Sequence, residues 1–238
     1  MKDYNYKFNI MTLFPEMFND FVSSSIIGRA VKNNILDFKI YNFRDYTLDP
    51  HGKVDDYVFG GGNGMLIGPQ PVYDCYKDIL KNSGKKKITT IYMSPRGERL
   101  NQNLAKEFAS DEEIVILCGH YEGVDERALK LINAREVSIG DYVLTGGEIP
   151  AMVLMDCISR NINGVLGNED SSSTDSFSDG LLEYPQYTRP RVYEGMEVPE
   201  ILLSGNHKLI EQWQKEQSEI VTKQNRPDLY EQYKNNLK

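Results

Sequence analysis

Between residues 7 and 158, segments of strand character alternate with segments of helical spacing. That alternation confines the chain to an α/β layer built on a parallel sheet. Residues 7–14 read as a strand, with Phe8, Ile10, Leu13 and Phe14 apolar. Pro15 opens a helix in which Met17, Phe18 and Phe21 fall at helical spacing, a first turn being where proline's missing N–H does no harm. Residues 36–41 alternate Leu36, Phe38 and Ile40, as a half-buried strand does. A loop over 49–64 ends in a glycine cluster. The spacing then predicts a helix over 72–80, a strand over 88–93, a helix over 104–109, a short apolar strand over 114–118, a helix over 126–132 and a brief strand over 137–139. Pro150 opens an apolar helix through Met152, Val153, Leu154 and Met155 to Ile158.

The alternation stops at residues 168–176, a polar, acidic, serine-rich run. Charge is uneven in the same place. The chain carries 27 Lys+Arg and 35 Asp+Glu, a net of −8, and residues 167–183 hold five acids and no Lys or Arg, more than half of that excess. Such a segment buries too little apolar surface to order itself, so residues 167–183 are expected to form a flexible acidic linker between a first domain, 1–166, and a small helical one, 184–238. Pro185, Pro190 and Pro199 punctuate the start of the latter, and a final amphipathic helix follows, with Leu209, Ile210, Trp213, Ile220 and Val221 on one face and Asn206 as its cap. A unit this small is expected to pack on the first domain or on a partner chain.

An acidic chain argues against indiscriminate binding to nucleic acid, since phosphate contacts need Lys and Arg. With the surplus acids gathered in one segment, RNA stays open as a partner. No apolar run approaches the roughly 18–20 residues of a membrane span, so no membrane partner is expected. Cys75, Cys118 and Cys157 are too far apart for a disulfide scaffold or a cysteine-rich zinc site, which makes a reducing cytoplasm the expected location.

Three of the predicted strands run into loops rich in turn residues: 94–97 (Ser-Pro-Arg-Gly), 119–123 (Gly-His-Tyr-Glu-Gly) and 139–148 (Ile-Gly-Asp-Tyr-Val-Leu-Thr-Gly-Gly-Glu). In parallel α/β sheets ligands sit beyond the carboxyl ends of the strands. Loops there with little side-chain bulk let backbone groups meet a ligand directly. Taken singly, each glycine loop reads equally well as an ordinary turn; three in register point to a nucleotide-like ligand. Neither G-x-x-x-x-G-K-[ST] nor G-x-G-x-x-G occurs, and the glycine-dense run 60–65 lacks a P-loop's lysine. An uncharged adenosine carrier such as S-adenosylmethionine suits such backbone readout. His51, His120 and His207 show no metal-ligand spacing. Cys118 beside His120 invites a thiol–imidazole reading, but Cys118 ends an apolar strand and reads better as an inert buried thiol.

Over nearly the whole length the chain closely resembles the bacterial tRNA (guanine-N1-)-methyltransferases, members of the SPOUT class of trefoil-knotted methyltransferases. The resemblance rests on ordered stretches at residues 13–18, 28–31, 60–65, 118–127, 138–148, 164–167, 175–177, 187–190 and 202–207. It implies a deep knot where the three loops are threaded, a homodimer whose sites draw on both chains, and methylation of N1 of the guanosine at tRNA position 37, just 3′ of the anticodon. The S-adenosylmethionine contacts it implies are Tyr92, Ser94, Pro95, Gly119, Tyr121, Ile139, Gly140, Asp141, Tyr142, Val143, Leu144, Gly146, Gly147 and Pro150, with Glu122 near the sulfonium. It also implies magnesium use, with no ligands assigned. Where some relatives carry arginine, this chain has His120.

The same resemblance assigns Asp175 as the base that takes the N1 proton and Arg160 as the cation facing charge on O6. Read without it, Arg160 compensates a helix dipole and Asp175 solvates a linker. A related knotted methyltransferase with another RNA target, or a non-catalytic knotted RNA-binding protein, are the alternatives. The run Lys85-Lys86-Lys87 reads equally as a solvated turn and as a tRNA contact.

Overall fold

The computed structural model describes residues 6–62, 64–167 and 175–236. Strands β1 (Tyr6–Thr12), β2 (Leu36–Asn42), β5 (Thr89–Arg99), β6 (Glu113–Cys118) and β7 (Arg135–Ser138) form one sheet. Their order is β2-β1-β6-β5-β7, with every pair parallel. The predicted α/β layer with a parallel sheet is therefore present. Between β2 and β5 lies a short antiparallel pair: β3 (Asp55–Tyr57) falls inside the expected loop 49–64 and β4 (Met65–Ile67) directly after it.

Alternate residues of a strand face opposite sides of a sheet, so a central strand covered on both sides reads as an unbroken apolar run. β6 does this. Ile114 and Ile116 enter one core with Phe8, Ile10, Leu154 and Ile158, while Val115 and Leu117 enter the other with Met11, Val72 and Ile79. The second core rests on helix α3 (Pro69–Ser83), longer than the predicted 72–80 at both ends. Pro69 starts it, and Gly84, in the left-handed region at φ 71°, ends it by donating its N–H to the Leu80 carbonyl. Helix α6 (Glu148–Ser159) covers the first core, starting two residues before Pro150.

β5 departs from expectation. Met93 pairs with Val137, and so does Glu98, so residues 94–97 leave the ladder and return to it at the same partner. The first predicted loop is thus an excursion inside a strand and not the strand's end. A side chain on Gly97 would collide with the backbone of Glu136 and Val137, which is why glycine stands where the chain rejoins the sheet.

The chain divides into two compact units, Met1–Gly167 and Asn168–Lys238. Of the expected linker, residues 168–174 lie outside the described residues. In the second unit residues 175–183 form hydrogen-bonded turns: Phe177 N–H donates to the Leu181 carbonyl, and Leu182 N–H to the Thr222 hydroxyl. Thr222 belongs to α7 (His207–Asn225), capped by the Asn206 side chain as expected. The buried residues of α7 are Ser218 and Thr222, while Leu209 and Ile220 are exposed. The predicted apolar face is narrower than its pattern because a small polar residue admits the neighbouring backbone. Trp213 meets Tyr184 and Tyr187 instead, with ring centroids 6.5 and 6.4 Å away. A last helix, α8 (Pro227–Asn236), escaped the sequence reading. Among the described residues no helix is long and apolar enough to cross a membrane.

Candidate active site

The excursion 94–97 and the loops following β6 and β7 meet at one end of the sheet and enclose a cavity of roughly 510 Å³, within the range of small-ligand sites. Backbone bonds fix the second and third loops. Gly147 N–H donates to the Gly119 carbonyl at 2.8 Å, tying the third loop to the second. Glu122 N–H donates to the Met65 carbonyl, and Ile67 N–H to the Gly123 carbonyl, tying the second loop to β4. A Cβ on Gly147 would stand 2.7 Å from Cys118 Cα and from Gly119 N, so this crossing exists only without a side chain there. Tyr121 sits between them at φ 60°, left-handed backbone that a non-glycine residue holds only under constraint.

Fourteen of the fifteen expected cofactor residues line this cavity: Tyr92, Ser94, Pro95, Gly119, Tyr121, Glu122, Ile139, Gly140, Tyr142, Val143, Leu144, Gly146, Gly147 and Pro150. Asp141 does not; its exposed carboxylate pairs with the Arg99 guanidinium. The lining also includes Leu66, Arg96, His120, Glu126 and Thr145, which the sequence reading left out. Most of these are neighbours within the same loops. Leu66 had no local signal, because β4 reaches the cavity only through its pairing with the loop after β6.

Burial, with Glu136 nearby, raises the Tyr92 phenol above its ordinary value, so it stays a neutral wall of the cavity. Cys118 is driven well up by complete burial and then by Glu148, which agrees with an inert thiol. Arg96, at the rim, makes a two-bond contact with Glu136 at 3.2 and 2.9 Å. A second cavity of roughly 490 Å³ shares His120, Val143, Leu144, Thr145 and Gly146 with the first and adds Phe14, Met17, Glu148 and Ile149.

Residues 6–232 match the family described as tRNA (Guanine-1)-methyltransferase TrmD. The chain belongs to this family. Proteins named tRNA (guanine-N(1)-)-methyltransferase from Lachnospira eligens, Clostridioides difficile and Ruminiclostridium cellulolyticum are 58%, 54% and 56% identical to it. The alignments span 95%, 94% and 96% of this chain and 95%, 97% and 98% of the relatives' lengths.

Of the two side chains that the methyltransferase resemblance singles out for catalysis, Arg160 is the C-cap of α6, in the first unit. It stands roughly 18 Å along the helix axis from Glu148, at about 1.5 Å per residue. Asp175 opens the described part of the second unit, half-buried, its carbonyl accepting from Ser178 N–H at 3.1 Å. Among the described residues no cluster of three or more His, Cys, Asp or Glu side chains could hold a metal ion. The described residues therefore assemble no donor set for magnesium.

Proposed function

We propose that this chain transfers the methyl group of S-adenosylmethionine to N1 of the guanosine at tRNA position 37, in the cytoplasm, with Asp175 as general base and Arg160 facing O6. The observation that carries the reading is the backbone-lined cavity of roughly 510 Å³, closed by three loops in a chain of this family. Glycines at 119, 140, 146 and 147 leave a shallow polar wall, and Tyr92, Ile139 and Leu144 supply apolar surface, which together fit an adenosine. When bound, S-adenosylmethionine supplies an electrophilic methyl on a positively charged sulfur, and Glu122 is the lining carboxylate suited to that charge.

Guanine N1 holds a proton at neutral pH and is a poor nucleophile until it leaves. The Asp175 carboxylate takes that proton as the new bond forms. Negative charge then spreads to O6, where the Arg160 guanidinium offsets it. The crossing of the third loop over the second supports the trefoil knot implied by the resemblance. The place of Arg160 at the far end of α6 from the cavity supports sites built from two chains. So does the apolar surface beside the second cavity, where Met17, Val143, Leu144 and Ile149 are all exposed. The first domain (1–166) then holds the donor, and residues 184–238 help to hold the tRNA.

The deciding experiment incubates the protein with labelled S-adenosylmethionine and total tRNA and maps the methylated atom in a nucleoside digest. Label at N1 of the position-37 guanosine is the expected result; label elsewhere, or none, overturns the reading. In the same assay Asp175→Asn is expected to lower turnover by about two to four orders of magnitude with donor affinity nearly unchanged.

A further inference from the structure

Of the side chains that line the first cavity, one is a guanidinium, Arg96, and two are carboxylates, Glu122 and Glu126. Glu122 is matched above to a sulfonium. Arg96 and Glu126 remain, and they form an ion pair on the cavity wall. Arg96 Nη2 lies 3.5 Å from Glu126 Oε2, and both side chains are more than half exposed. Three elements hold the pair. Arg96 belongs to the excursion of β5, where its backbone N–H donates to Ser94 Oγ at 3.2 Å. Glu136, in β7, accepts from Arg96 Nε at 3.2 Å and from Nη2 at 2.9 Å. Glu126 begins the helix Glu126–Leu131, and its other oxygen, Oε1, lies 3.9 Å from Lys130 Nζ.

Exposed ion pairs add little to stability. On a cavity wall, this one instead sets a positive and a negative group side by side. Glu136 takes Nε and Nη2 and so fixes the plane of the guanidinium, while Nη1, with two N–H donors, has no hydrogen-bond partner among the described residues. The ligand group with the inverse pattern is an α-amino acid, whose carboxylate and ammonium share one carbon. S-adenosylmethionine ends in that group. Its two positive charges and one negative charge also invert the lining's one guanidinium and two carboxylates. We propose that the Arg96–Glu126 pair holds the amino-acid end of the donor. The guanidinium takes the α-carboxylate, the Glu126 carboxylate takes the α-ammonium, and Glu136 positions Arg96. This rests on the function proposed above, which puts S-adenosylmethionine in the cavity. The donor contacts implied by the family resemblance include neither residue of the pair.

The test is calorimetry on the full chain with three ligands. They are S-adenosylmethionine, its decarboxylated form, which keeps sulfonium and amine, and 5′-methylthioadenosine, which lacks the amino-acid end. Arg96→Gln should weaken S-adenosylmethionine by about 3- to 30-fold, the size of a hydrogen bond to a charged group discounted for exposure, and bind the other two no more weakly. Glu126→Gln should weaken both amine-bearing ligands and leave methylthioadenosine unchanged. Unchanged methylthioadenosine affinity also shows that the variants fold. Arg96→Lys, which keeps the charge, should recover part of the loss. An Arg96→Gln chain that binds S-adenosylmethionine as well as before, or that weakens all three ligands alike, would overturn the proposal. So would a loss confined to tRNA affinity, which would give the guanidinium to a phosphate. An unaltered protein that binds neither S-adenosylmethionine nor methylthioadenosine would instead overturn the function on which it rests.

Discussion

The two ends of the parallel sheet treat polar groups in opposite ways. At the amino end of β6, Glu113 is nearly buried, yet its carboxylate accepts from Asn9 Nδ2 at 3.0 Å and Ser83 Oγ at 2.6 Å. The amines of Lys7 and Lys85 lie 3.6 and 3.5 Å away. Burial alone would raise that carboxyl, but the Ser83 and Asn9 hydrogen bonds, then the two lysines, hold it below its ordinary value. At the carboxyl end the chain accepts left-handed backbone at Tyr121, a crossing that tolerates no Cβ at Gly147, and a buried imidazole nitrogen with no partner. At one end the buried Glu113 carboxylate is fully paired and helps to hold the sheet together; at the other an imidazole nitrogen stands unmatched beside a cavity, as in a binding site.

The contrast can be broken by experiment. The largest expected effect is a mixing test of the two-chain site. If each site draws on two chains, as proposed, Asp175→Asn chains and Gly147→Val chains, each nearly inactive alone, should regain activity when unfolded and refolded together, one site of each mixed pair then being whole. Mixtures no more active than their parents would mean that each chain works alone. Next, Gly147→Ala forces a methyl into the backbone of residues 118 and 119. Overpacking of about 1–3 kcal/mol corresponds to a loss of donor affinity of roughly 10- to 100-fold by calorimetry.

At the opposite end, Glu113→Ala strands its partners and should lower unfolding free energy by about 1–3 kcal/mol in urea titrations, leaving donor affinity within about twofold. If it weakened the donor as much as Gly147→Ala does, the two ends would not be separate in their work. The Glu113 pKa is depressed in the fold, so its contribution is fully present above the unfolded carboxyl value near 4.5 and is lost as pH falls through the lowered folded value. Glu113→Gln should therefore flatten the acid limb of stability below about pH 4.5. The smallest effect belongs to Arg96. Its pairing with Glu136 is exposed, so Arg96→Ala should change stability by less than about 1 kcal/mol.

Much of the fold could be read from local signals. β6 announces itself because five consecutive apolar residues, too few for a typical helix, suit a strand buried on both faces, and the start of α6 lies within two residues of Pro150. Signals for the true ends of α3, Pro69 and Gly84, were present but outweighed by the apolar spacing between them. α8 was missed because its residues carry little apolar contrast, leaving only Pro227 at its start as a cue. The three loops were legible one at a time, since turn residues mark turns. Their convergence depends on strand order, which alternation does not fix. For the same reason Leu66, which arrives through β4, has no local signal, and Asp141, inside the same loop, turns to Arg99 instead of lining the cavity.

The excursion in β5 has a practical corollary. Because Met93 and Glu98 both answer to Val137, the sheet keeps count on either side without reference to how many residues lie between. A change of length within 94–97, with Gly97 kept, should therefore reshape one wall of the cavity, where Ser94, Pro95 and Arg96 stand, while the paired strands on either side stay aligned.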